Sequence, residues 1–186
     1  LYLACAFSAR ASGGGGVGKP TIWYELATPL LPKVPLVKLR SQLRPITILP
    51  VLKKLYSSLL LSRVSPYLLP FLSPWNLGCR KGYQALELIS CVRWAIEKCT
   101  EWILPLYIVK LDFKKAFDSL SHPSLERTLA DAGTPACVTL AVLRELLGVR
   151  MRLRYGDVVS EPVQSLVGVP QGDPGSPLYF ASTVDR

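Results

Sequence analysis

The sequence predicts an α+β fold on three observations. Apolar residues recur at helical spacing in two long stretches, a later stretch alternates apolar and basic residues, and one short apolar run is rich in β-formers. No internal repeat organises these elements, and helices mix irregularly with strands. The 186 residues are a one-domain length, and 49% hydrophobic with 19% charged residues is too apolar for a disordered chain. A buried core is expected, interrupted by many of the 16 prolines and 13 glycines.

Residues 1–25 contain Gly13-Gly14-Gly15-Gly16-Val17-Gly18-Lys19-Pro20, which meets the G-x-x-x-x-G-K part of a phosphate-binding loop. The next position fails, because Pro20 offers neither a hydroxyl for Mg²⁺ nor a backbone N–H for phosphate. The segment therefore reads as a flexible Gly linker. Leu1 to Ser12 imitates the apolar part of a signal peptide, but no Met and no basic start precede it.

Pro29, Pro32, Pro35 and Pro45 keep the next stretch extended, with short strands expected at 36–39 and 46–49. From Val51 to Val64 the positions Val51, Leu52, Leu55, Leu59 and Leu60 recur at helical spacing. They predict a helix with Lys53, Lys54 and Arg63 on its wet side, ended by Pro66. Tyr83 to Cys99 carries the best amphipathic pattern, through Ala85, Leu88, Ile89, Val92, Ala95, Ile96 and Cys99. Pro105 to Leu111 is expected to be a buried strand that runs into Asp112. After Ser121 and Pro123 a helix runs to Ala130 with Gly133 as its stop, and Pro135 opens another that ends at Gly148. Then Val149, Met151, Leu153 and Tyr155 alternate with Arg150, Arg152 and Arg154. The turn pair Gly156-Asp157 and a second strand through Val163 to Val167 complete a hairpin with one arginine-lined face.

The formal charge of +9 favours a polyanionic partner, either nucleic acid or an anionic membrane surface. The most apolar long tract, Ile46 to Leu77, is broken by Lys53, Lys54, Arg63 and four prolines, so no clean membrane-spanning helix is expected and nucleic acid comes first. Five cysteines with no C-x-x-C pair and a single histidine, His122, argue against zinc and against a disulfide framework. They are expected to be buried reduced thiols of an intracellular protein, not a secreted one.

Two blocks carry chemistry. In Leu111-Asp112-Phe113-Lys114-Lys115-Ala116-Phe117-Asp118, a carboxylate at the end of a buried strand would be fixed in place and could serve a hard cation such as Mg²⁺. On pattern alone, an Asp after a strand also reads as a turn or helix-cap residue, and Asp118 as a cap for the following helix. The second block, Gly168-Val169-Pro170-Gln171-Gly172-Asp173-Pro174-Gly175-Ser176-Pro177-Leu178-Tyr179-Phe180, has glycines for close backbone approach, an amide that donates and accepts, and a Ser-Pro helix start. Alone, it also reads as an ordinary loop.

In this order the two blocks resemble the reverse transcriptase family. Asp112 to Asp118 is similar to its first palm motif, an Asp with a bulky aromatic five positions on, and Gly168 to Phe180 to the next, built on Pro-Gln-Gly and Ser-Pro. Arg44-Pro45-Ile46, Lys54-Leu55-Tyr56, Arg63, Pro66 and Gly78-Cys79-Arg80-Lys81-Gly82 resemble the fingers of the non-LTR retrotransposon (LINE-type) branch. The resemblance spans about residues 38–180.

It implies a right-hand polymerase fold, with fingers at about 26–104 and 121–165 and an incomplete palm at about 105–120 and 166–186. It also implies template-directed nucleotidyl transfer with two Mg²⁺ ions, Mn²⁺ being an alternative, on an RNA template, a DNA primer and deoxynucleoside triphosphates, with no membrane partner and a nuclear location. Asp112 is expected to bridge both ions, helped by the backbone carbonyl of Phe113. Phe117 is expected under the sugar, where a large ring clashes with a 2′-hydroxyl and selects deoxynucleotides. Gln171 and Gly172 are expected beside the incoming nucleotide, and Arg44 at its triphosphate. Lys53, Lys54, Arg80 and Lys81 are expected to track template phosphates; the plain alternative is a solvated helix or loop face.

The resemblance also has gaps. The family's third palm motif, an aromatic-x-Asp-Asp hairpin, is absent, and Asp185 is single. The expectation is a fragment without polymerase activity of its own. The alternatives are a group II intron-type reverse transcriptase and a non-catalytic nucleic-acid-binding remnant.

Overall fold

A computed structural model describes residues 25–36, 38–39, 42–78, 80, 82–147 and 149–185. The Gly-rich segment up to residue 24, Cys79, Lys81 and Gly148 lie outside the described residues. The elements are β1 (Glu25–Pro32), β2 (Leu43–Pro45), α1 (Val51–Phe71), α2 (Ala85–Glu101), α3 (Ala116–Ser119), α4 (His122–Asp131), α5 (Ala136–Leu147), β3 (Arg150–Tyr155), β4 (Val158–Val159), β5 (Val163–Gln164) and α6 (Ser176–Val184). The mixed α/β architecture agrees with the α+β expectation.

The sheet runs β2-β1-β3-β4, with β5 also on β3. β1 pairs antiparallel with β2, Leu31 opposite Arg44, and parallel with β3, Ala27 opposite Arg152. Of the strand predicted at 36–39, the described residues 36, 38 and 39 are not in a strand. The first strand lies earlier and contains Pro29, whose carbonyl still accepts from the Ile46 N–H at 3.0 Å although its own nitrogen has no proton to give. Of 46–49, only Ile48 bridges to Ala27. The basic hairpin forms as expected up to the Gly156 turn (φ +59°). Its return strand is split in two, because Pro162 cannot donate to a ladder and Ser160 turns its hydroxyl onto the Leu153 N–H instead. Arg152 pairs with Glu25 across β1 and β3 at 3.1 Å.

The core lies among α1, α4, α5 and α6, where Val64, Leu68, Leu120, Leu125, Leu129, Val142, Leu146, Val169, Leu178 and Tyr179 form one buried cluster. The regions expected as fingers and as palm therefore share a core. α4 ends at Gly133 (φ +72°), as its sequence predicts.

α1 corrects two expectations. It buries the stripe Lys53-Ser57-Leu60-Val64-Leu68, while Val51, Leu52, Leu55 and Leu59 face water. That stripe recurs at steps of three and four over the whole helix, whereas the competing one stops at Arg63. It also explains why Pro66 does not end the helix. Pro66 and Pro70 sit on the exposed side, so the carbonyls of residues 62 and 66 that lose a donor belong to exposed residues and are not stranded in the core.

α2 forms where the amphipathic pattern placed it, yet none of its residues is buried. Local interactions hold it: Glu87 in the first turn, Lys98 in the last, Arg93 with Glu97 at 2.9 Å, and Lys98 with Glu101 at 2.6 Å and over the Trp102 ring. The run after it, Leu104 to Leu111, is neither a strand nor buried. No described strand lies beside it, so its backbone has no ladder to join. The expectation of buried thiols also fails where it is tested. Cys91 on α2 is exposed, and Cys99 and Cys137 are partly so. Among the described residues no helix is long and apolar enough to cross a membrane.

Candidate functional site

The site is organised by the segment that leaves Asp112. Lys115 adopts the left-handed conformation (φ 54°, ψ 47°) and turns the chain sharply into α3. Phe113 before the turn and Phe117 after it both reach the Phe180 ring of α6, with centroids 5.8 and 5.6 Å away. Phe117 is half-buried against the core, whereas Asp112 and Phe113 are exposed.

The glycine-containing block is fastened to this turn by its backbone. The Gly168 N–H donates to Leu120 O and the Val169 N–H to Phe117 O, each at 2.8 Å. Gly168 has φ +86°, and a Cβ there would lie 2.8–2.9 Å from Phe117 O and Asp118 backbone atoms, so glycine alone fits this approach. His122, read from the sequence as a helix-start residue, is buried at the start of α4. Its Nε2–H donates to Gly168 O at 2.7 Å, which adds a tie that the sequence did not suggest.

On its far side the same block meets the N-terminal sheet. The Thr47 N–H donates to Gln171 O at 2.9 Å, and Gly172 (φ +117°) passes so near Thr47 O that a Cβ would stand 2.6 Å away. Thr47 lies three residues beyond Arg44, which is exposed on β2. Within the block, the Ser176 hydroxyl donates to Pro170 O and Asp173 Oδ1 accepts from the Gly175 N–H, both at 2.8 Å. Gln171 is half-buried and Gly172 exposed, at the rim of this assembly.

The structure thus gathers Phe117, Gln171, Gly172 and the segment carrying Arg44 around one loop. The basic residues disperse. Lys54 is exposed. Lys53, expected on the wet side, is only 2% exposed and lies 3.9 Å from Glu145 of α5. Burial pushes its ammonium down to about 8, with Asp173 pulling in the opposite direction. Arg80 donates to the carbonyls of Leu72 and Ser73 and so caps the C-terminal end of α1. Lys81 lies outside the described residues. The missed partners, Lys53 with Glu145 and Asp173, had one usable signal: Lys53 falls in register with Leu60, Val64 and Leu68.

Asp112 and the Phe113 carbonyl are hard oxygen donors, the kind Mg²⁺ takes together with water and substrate phosphates. No group of three or more His, Cys, Asp or Glu residues that could hold a metal occurs among the described residues. The donor set fits Mg²⁺ in kind and would supply only part of a coordination shell.

Comparison with known proteins agrees with the two motifs. Residues 31–186 match the family described as reverse transcriptase (RNA-dependent DNA polymerase). The chain is 31% identical over 165 residues to the retrovirus-related Pol polyprotein from type-2 retrotransposable element R2DM of Drosophila melanogaster, covering 86% of this chain and 15% of that protein. It is 30% identical over 172 residues to the Pol polyprotein from type-1 retrotransposable element R2 of Popillia japonica, covering 90% of this chain and 23% of that protein. The chain therefore spans less than a quarter of the length of these relatives.

Proposed function

The chain belongs to the reverse transcriptase family, alongside Pol polyproteins of R2 non-LTR retrotransposons, and from that premise we propose that it forms the nucleotide-selecting part of an RNA-directed DNA polymerase. The observation that carries this reading is the backbone joint between Phe117–Leu120 and Gly168–Val169, which makes one rigid unit of the two family motifs. The reaction joins a primer 3′-oxygen to the α-phosphorus of a deoxynucleoside triphosphate and releases pyrophosphate.

In this reading Phe117, braced by Phe180, presents a ring edge to the sugar and excludes a 2′-hydroxyl. Gln171 and Gly172 line the nascent base pair and test its shape. Arg44 approaches the triphosphate from β2, and exposed Lys54 serves the phosphates of the RNA template and DNA primer. Asp112 and the Phe113 carbonyl hold the divalent ion. Bound there, Mg²⁺ would supply neutralisation of phosphate charge and activation of the primer hydroxyl. Asp112 is the single carboxylate matched to the family's metal motifs, so the 186-residue chain is proposed to bind but not to extend a primer. The nucleus is the proposed place of action.

The test measures the affinity of the chain for an RNA template annealed to a DNA primer across a salt series. Binding that weakens steeply as salt rises is expected; absent or salt-insensitive binding overturns the reading. Competition between deoxy- and ribonucleoside triphosphates on that complex is expected to favour the deoxy form. Phe117→Ala is expected to reduce the preference by about tenfold or more, the loss of one steric exclusion. An unchanged ratio refutes the role of the ring. Primer extension by the chain, abolished by Asp112→Ala, would contradict its proposed inactivity.

A further inference from the structure

The mechanism above leaves a buried charged cluster unused. Lys53 from α1 faces Glu145 from α5, with Nζ and Oε2 3.9 Å apart, and is attracted by Asp173 of the Pro170–Ser176 loop. Tyr179 of α6 completes the group. Its ring packs where a side chain on Gly175 would have to stand, and burial, then Asp173, push its hydroxyl above the usual phenol range. Glu145, Asp173 and Tyr179 line, together with Ser57, a cavity with about 10 Å³ open to the centre of a water molecule, room for roughly one water.

Burying a lysine is costly, and a methionine would fill similar space in a helix without that cost. What lysine adds is attraction to Asp173. The loop is otherwise bonded mostly to itself, through Ser176 to Pro170, Gly175 to Asp173 and Asp173 to Pro170. Among the described residues, its tie to the segment before α1 is the Thr47–Gln171 hydrogen bond and the close pass of Gly172 over Thr47.

We propose that Lys53 is a positioning residue, whose buried ammonium draws Asp173 toward α1 and α5 and so fixes where Gln171 and Gly172 are presented. The clamp itself does not depend on the polymerase reading; only the consequence for nucleotide selection does. Among the described residues, the charged and titratable groups facing it are Glu145, Asp173 and Tyr179. With the ammonium pushed down to about 8, the clamp is charged at neutral pH and released above that value. The loop should therefore loosen across a range in which the core is unaffected.

Amide hydrogen exchange of the full chain, followed from pH 6.5 to 9.5 and divided by the intrinsic rate, tests this. The amides of Asp173, Gly175 and Ser176, whose N–H groups are bonded within the loop, are expected to lose about tenfold protection as Lys53 neutralises, while those of α4 keep theirs. Lys53→Met is expected to show low, pH-independent protection in the loop. Should that variant fail to fold, Asp173→Asn decides, because it keeps the acceptor for Gly175 and removes only the charge. It is expected to loosen the loop at neutral pH and to move the lysine's titration to lower pH. A wild-type loop whose protection is flat with pH, or a folded Lys53→Met with wild-type protection, overturns the proposal. Failure to bind primer–template would instead strike the polymerase reading and leave the exchange result standing.

Discussion

The helices around the Gly168–Phe180 block and the helix–coil stretch from Ala85 to Phe113 are built from similarly apolar sequence and end in opposite states. In the first, α1, α4, α5 and α6 bury a common cluster, and the block is bonded on one side to Phe117–His122 and on the other to Thr47. In the second, α2 and the run that follows expose Leu88, Ile89, Tyr107, Val109 and Leu111. The difference lies in partners and not in pattern. An amphipathic stripe states which face of a helix can be buried, and a facing surface decides whether it is. The proposed site straddles this border, with Phe117 and Gln171 on the packed side and Asp112 on the open side.

The largest effects should come from the packed side. Leu125→Ala removes a fully buried side chain from α4 and is expected to cost about 3 kcal/mol in denaturant unfolding. A loss below about 1 kcal/mol would mean that the cluster is not tightly packed. Gly168→Ala comes next. It places a methyl group against Phe117 and Asp118 backbone atoms at φ +86°, and about 2 kcal/mol should be lost. Because this joint holds the two motifs together, the same variant should also lower discrimination between deoxy- and ribonucleotides; stability lost with selectivity intact would separate the joint from the site. His122→Ala strips the donor from Gly168 O and is expected to cost about 1.5 kcal/mol by the same measurement.

How much of this was legible follows the same border. The second motif, the Gly133 stop and the basic strand with its Gly156 turn could be read directly, because each depends on local backbone chemistry. The inward face of α1 could not. Lys53 and Ser57 are polar yet buried, and their stripe makes sense only once Glu145 and Asp173 are known to face it. Nor could the fate of 105–111, since a run of β-formers announces a strand, whereas a strand forms only beside a neighbour that pairs with it, and none of the described strands does so. The two motif blocks stood out as local sequence, but the ties through Thr47 and His122 connect positions far apart in the chain and leave no local mark.

The Lys53 cluster gives a smaller, pH-dependent effect. Its ammonium loses its proton near 8 when folded and near 10.5 when unfolded, so unfolding takes up a proton between those values. Stability therefore rises with pH across that window and does not respond to this group below it. Tyr179 acts in the opposite sense, but only above its ordinary value of about 10, since its folded hydroxyl titrates later than its unfolded one. Between pH 8 and 10 the wild type should gain stability that Lys53→Met does not gain, even as the loop of residues 170–176 loosens. A parallel response of the two proteins would remove the lysine from the account.

The smallest effect is expected on the open side, where it tests the comparison most directly. Replacing both Leu88 and Val92 on α2 with glutamine keeps helix propensity while removing two apolar side chains, exposed by 55% and 39%. Stability should stay within about 0.5 kcal/mol of the parent, because neither side chain gives up a buried contact. In the core the same exchange would strand two amides without partners and cost several times as much. A loss of about 2 kcal/mol or more would mean that α2 packs against a surface after all. Asp112 would then follow a covered segment, and the border through the proposed site would disappear.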